Sequence, residues 1–192
     1  RLLCVSLFFY FALFCVGTTV VIERNAQNIM VDCDESVEAQ YYEFLDDHGG
    51  ATANSSCSSI RWYHDGPCDF QTNTCTESVE VTFIATDNCG SYAQTNATFT
   101  MSDTTSPTIV VEPSDFTVPC GPNTKEEVTN YLQDKGGARF VDNCTDPQSL
   151  SYSTAFHGIS CGESEVVTFA ASDQCGNINS ASATLTILPP YQ

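Results

Sequence analysis

Residues 81–91 read VTFIATDNCGS, and residues 167–177 read VTFAASDQCGN. Apolar residues alternate in both: Val81, Phe83 and Ala85 in the first, Val167, Phe169 and Ala171 in the second. A period of two is the signature of a strand with one buried face. Each strand then meets an aspartate, which shapes a turn through its own backbone, and a glycine, which lets the chain reverse. A cysteine stands between them. The text repeats because the domain repeats, which points to a building unit before it points to catalysis.

The echo extends along most of the chain. Cys33 and Cys120, Gly49-Gly50-Ala51 and Gly136-Gly137-Ala138, and Cys57 and Cys144 share an offset of 87. Further on the offset is 86, for Cys75 with Cys161, Cys89 with Cys175, and ATFT (97–100) with ATLT (183–186). An offset that drifts by one residue marks an internal repeat with a small loop change. The boundary falls in the polar stretch SDTTSPT (102–108), giving domains at 18–103 and 104–192.

Each copy opens with strand-like text, TVVIE and NIMVDC in the first, TIVVEP and FTVPC in the second. A short helix follows. Val37, Tyr41, Phe44 and Leu45 share one face of the first helix, as Val128, Tyr131 and Leu132 do in the second. Thr124-Lys-Glu-Glu127 reads as a capping box, and both helices stop at a Gly-Gly pair. The rest of each copy is strands and turns. About six or seven short strands per copy predict an all-β fold of two tandem immunoglobulin-like sandwiches, each with one short helix.

The bulk chemistry narrows the function. Of the 192 residues, 24 are Asp or Glu and 6 are Lys or Arg, for a net charge of −18. Such a surface repels phosphate backbones, so nucleic acid is not an expected partner. There are 11 cysteines and no C-x-x-C. Widely spaced cysteines at this density belong to an oxidising compartment and predict disulfides and an extracellular or cell-surface location. Three sequons, at Asn54, Asn96 and Asn143, add N-linked glycans to the expectation.

Residues 1–17 are one arginine and an almost unbroken apolar run. The run is too short and too poorly flanked for a stable membrane span. Two readings remain: a signal peptide cut after Gly17, or a retained strand near residues 3–22 that completes the sheet of a neighbouring subunit.

The joint pattern VTFxAxDxCGN, then A-T-L-T-I, then D-T-T-x-P-T-I, resembles hyalin-type repeats. With the segments FLDDHGGATANSSC and YLQDKGGARFVDNC it is still more similar to the cysteine-bearing tandem repeats of large bacterial surface adhesins. The resemblance covers nearly all of 18–192. It implies immunoglobulin-like modules that serve as stalks, adhesive units or building blocks, without catalytic residues. Cys68 is an extra cysteine relative to that pattern, and two copies are fewer than such proteins string together.

Four cysteines per domain allow three pairings. Sandwich topology puts the loops holding Cys144 and Cys175 at one end and those holding Cys120 and Cys161 at the other. The expected bridges are therefore Cys33–Cys75, Cys57–Cys89, Cys120–Cys161 and Cys144–Cys175, each stabilising by about 2–4 kcal/mol. Cys68 is left over, for a local alternative pairing or an intermolecular bridge.

Tests for chemistry give little. His48, His64 and His157 have no histidine at the equivalent position of the other copy, and no G-x-S-x-G or H-E-x-x-H surrounds them. Cysteine spacings lack the close pairs of a zinc site. Asp87, Asp142 and Asp173 are candidate ligands for a hard cation such as Ca2+, against the commoner role of turn anchors. Trp62, with Tyr152 as its counterpart, reads as core packing. The expected function is non-enzymatic: a subunit of a glycosylated extracellular filament or appendage, polymerised with copies of itself. The competing expectation is a secreted or surface-bound adhesin or receptor module for a sugar or protein ligand.

Overall fold

The computed structural model describes residues 17–72 and 74–190. The chain divides between Asp103 and Thr104 into two compact units.

Domain 1 runs β1 (Val20–Arg24), β2 (Ile29–Asp32), α1 (Val37–Asp46), β3 (Thr52–Ser55), β4 (Arg61–His64), β5 (Thr76–Thr86) and β6 (Tyr92–Ser102). Its larger sheet has the order β2-β6-β5-β4, with β2 parallel to β6 and the other pairs antiparallel. The smaller sheet pairs β1 with β3. The alternation in 81–85 does what it predicts: Val81, Phe83 and Ala85 are fully buried, facing inward with Ala97, Phe99 and Met101 of the paired strand. Helix α1 lays Val37, Tyr41, Phe44 and Leu45 on that same core. Edge-to-face contacts of Tyr41 on Phe99 (5.2 Å between ring centres) and Phe44 on Phe83 (5.4 Å) lock it. Such pairs each add about 0.5–1.5 kcal/mol beyond their burial.

Domain 2 repeats the plan with β7 (Thr108–Val111), β8 (Phe116–Val118), α2 (Thr124–Gln133), β9 (Arg139–Val141), β10 (Ser151–Ala155), β11 (Ser164–Ser172) and β12 (Ile178–Ile187). The larger sheet is β10-β11-β12-β8, with β8 parallel to β12, and β7 pairs with β9. Val167, Phe169 and Ala171 are buried with Ala183 and Leu185 of β12. Among the described residues each domain has two sheets, six strands and one short α-helix, an immunoglobulin-like β-sandwich, and the chain is an all-β tandem.

Two local expectations are corrected. No capping box forms at α2: its N-cap is Asn123, without a side-chain cap. The Thr124 hydroxyl instead donates to the Pro119 and Gly121 carbonyls and accepts from the Gly121 N–H, tying off the turn before the helix. Val20, Val21 and Ile22 pair with β3 of their own domain. An intersubunit strand therefore cannot extend to residue 22; the part of that expectation on residues 1–16 lies outside the described residues.

The Gly-Gly stops are a backbone necessity. Three consecutive residues turn left-handed at each helix end: His48, Gly49 and Gly50 (φ 56°, 62° and 75°), and Lys135, Gly136 and Gly137 (58°, 63° and 84°). Glycine occupies that region without penalty. Space adds a second reason, since a Cβ on Gly136 would sit 2.9 Å from the Phe169 ring and one on Gly49 3.2 Å from the Phe83 ring.

Candidate functional site

The repeated aspartates are anchors of tight turns. Asp87 Oδ1 accepts the N–H groups of Cys89 (2.9 Å) and Ser91 (3.0 Å), and Oδ2 accepts the Ser55 hydroxyl (2.8 Å). Burial opposes ionisation of this carboxyl, but those donors outweigh it and hold its pKa below the usual carboxylate value. Asp173 repeats the arrangement with the N–H groups of Cys175 and Asn177 and the Asn177 amide, each at 2.8 Å. Asp142 stands where domain 1 has Ser55. Its Oδ1 accepts from the Cys144 and Thr145 N–H groups, while Oδ2 is buried with no hydrogen-bond partner. The three cation candidates thus serve as backbone anchors.

The cysteines among the described residues are disulfide-bonded. Cys57 and Cys89 form one disulfide, with Cα atoms 6.4 Å apart, and Cys120 and Cys161 another, at 5.5 Å. Cys33, Cys68, Cys75, Cys144 and Cys175 are disulfide-bonded too. Cys68 is among them, and both the local pairing and the intermolecular bridge expected for it are disulfides. Cys57, Asp87 and Cys89 bring their ligand atoms within 4.8 Å of one another. The bridge between the two sulfurs removes the thiolates a metal requires.

His48 and Trp62 meet across 14 residues of sequence. Their rings stack at 4.7 Å, and burial pushes the His48 imidazole pKa down. In domain 2 the same two places hold Lys135 and Tyr152, with the ammonium 4.8 Å above the ring centre. The residue forced into a left-handed backbone thus lays its side chain on the aromatic of the neighbouring strand in both copies. That contact offsets local backbone strain, which costs about 1–3 kcal/mol per such residue. Trp62 is half-buried and Tyr152 is 43% exposed, so neither is the deep core residue expected of it. His157 is an exposed partner of Glu165, with Nδ1 2.6 Å from the carboxylate. Its N–H and ring lower the Glu165 pKa.

The domains differ most on the outer face of the helix. In domain 1, segment 65–72 crosses that face and fills it. Gly66 lies so close that a Cβ there would be 2.8 Å from Leu45. Tyr41 Oη donates to the Pro67 carbonyl (3.0 Å), and Tyr42 Oη to that of Cys68 (2.8 Å). Phe70 is buried between Tyr41 (4.9 Å) and Phe99 (5.0 Å). Packed under this segment, the Tyr41 phenol has its pKa pushed up to about 12, chiefly by burial.

Domain 2 has no such cover. Register sets Trp62 against Tyr152, an offset of 90, yet Cys75 against Cys161, an offset of 86. Its crossing segment is therefore four residues shorter. Phe156 and Ile159 pack on the core but leave Val128, Tyr131 and Leu132 only partly buried. The result is a cleft of about 560 Å³, floored by Val128, Leu132, Phe156 and Ile159 and rimmed by Lys125 and Thr129. This volume lies inside the ~300–1,000 Å³ range of binding clefts. Sequence reading missed the site, although the two offsets recorded the shortened segment.

No protein-family model matches the chain, and no curated protein matches it. Solved structures similar to it are tandems of immunoglobulin or cadherin domains. Sidekick-1 immunoglobulin domains 1–4 align over 88% of this chain and 51% of their own, at 10% identity and a TM-score of 0.28. An I-band fragment of titin aligns over 88% and 65%, at 10% identity and a TM-score of 0.33. Drosophila N-cadherin EC1-4 aligns over 88% and 49%, at 9% identity and a TM-score of 0.34. The chain thus spans between 49% and 65% of the length of these structures. Likeness at this level carries no argument, and the fold assignment rests on strand order within each domain.

Proposed function

We propose that the chain is an extracellular structural subunit, a unit of a glycosylated surface filament or appendage. In this reading each copy donates the apolar segment before β1 to a neighbouring copy. The observation that carries it is how the chemically capable side chains are employed. Asp87, Asp142 and Asp173 hold turns, His48 braces a helix end, and Cys57, Cys89, Cys120 and Cys161 staple the loops. Disulfides of this density suit an oxidising location. Asn54, Asn96 and Asn143 are all exposed, so glycans would coat the outside. The hyalin-like text of the repeat points the same way. Among the described residues no helix is long and apolar enough to cross a membrane.

Sedimentation of the chain from a secretory host, with and without residues 1–17, tests this. Assemblies with the segment and monomers without it are expected. A second reading, a monomeric adhesin or receptor module gripping a sugar or protein ligand, is favoured by the open cleft of domain 2. A full-length chain that sediments as a monomer selects it.

A further inference from the structure

We propose that the cleft on helix α2 of domain 2 is the acceptor for the apolar segment 2–16 of a second copy. This inference rests on the strand-donating assembly above and names its receiving surface.

Domain 1 shows what the helix face takes. There the face is filled by an irregular stretch, bent at Cys68, that threads past the helix, gives two carbonyls to helix tyrosines, and plants one aromatic ring, Phe70, on the core. Domain 2 presents the equivalent face, built on Val128 in place of Tyr41 and Leu132 in place of Leu45. The stretch that would cover it is four residues shorter. Phe156 takes the place of Phe70 there, and what the shorter stretch leaves unfilled is the open cleft beside it.

Charge selects the occupant. Two copies that each carry −18 repel, so contact between them needs a segment free of carboxylates. The chain has no Asp or Glu before Glu23. Of residues 2–16, only Ser6 and the Tyr10 hydroxyl are polar, and the run holds Phe8, Phe9, Phe11 and Phe14 as candidates to enter the cleft. Fully extended, 15 residues reach about 50 Å, ample to lie along one helix face.

The experiment uses the full-length chain with a benzophenone amino acid in place of Phe9, an aromatic position of the donated segment. Irradiation is expected to give a covalent dimer in which peptide mapping joins position 9 to cleft residues of the other copy, within 121–132 or 156–161. In parallel, Thr129→Trp, which fills the cleft without removing a core contact, should weaken assembly at least roughly tenfold, the worth of one buried apolar side chain. Wild-type assembly by Thr129→Trp, or cross-links only to other residues, overturns the acceptor assignment while the loss of assembly on deleting 1–17 stands. Assembly that survives the deletion overturns the strand-donating reading itself. A mature chain that begins at Thr18 by mass spectrometry overturns both.

Discussion

His48 shows how one position can separate two nearly identical domains. Its burial against Trp62 lowers its pKa, so the folded state prefers the neutral ring. A lowered histidine pKa means the unfolded chain binds the proton better. Stability is therefore lost as pH falls from about 6.5, the unfolded value, towards the folded one. Thermal melts at pH 7.5 and 5.5 should show domain 1 weakening over this window. His48→Lys, which copies domain 2, should remove that part of the dependence. An unchanged pH response in the variant would assign the effect elsewhere. Asp173 gives a second test at this scale. Asp173→Ala strips three hydrogen bonds from the turn, taking away their acceptor, itself 5% exposed. It should cost about 1–3 kcal/mol in chemical denaturation, because part-buried N–H groups lose their partner. Asp173→Asn should recover part of this.

At the scale of elements, the filled and unfilled helix faces make the sharpest contrast. Phe70→Ala should destabilise domain 1 by about 3–5 kcal/mol, as for other aromatic truncations in a packed core. The matching change in domain 2, Phe156→Ala, should cost less, because Phe156 lines an open cleft. Equal losses on denaturation would mean that segment 65–72 is only a surface strap. Much of this level was legible in the sequence. Alternation at 81–85 and 167–171 marked the buried strands because period two maps directly onto a pleated sheet. The helix face at Val37, Tyr41, Phe44 and Leu45 followed from its spacing in the same way. Three features did not follow. The stacking of His48 on Trp62 depends on where a helix end meets a strand, which no local period records. The capping box failed because the Thr124 hydroxyl found nearer carbonyls in the preceding turn. The role of segment 65–72 was hidden because it carries few apolar residues; its backbone carbonyls and one ring do the covering.

For the whole molecule, two sandwiches, an acidic surface and one segment free of acidic residues belong together. Net charge of −18 keeps copies apart, and the carboxylate-free run before Glu23 is where that repulsion is absent. Assembly through such a segment should be insensitive to high salt, or strengthened by it, since screening reduces repulsion and leaves apolar burial intact. Dissociation on raising salt would indicate ionic contacts instead. The most direct measurement is negative-stain electron microscopy of the purified full-length chain from a secretory host. The account predicts filaments that disappear when residues 1–17 are removed. Monodisperse single particles from the intact chain, at every concentration and salt tried, would contradict it.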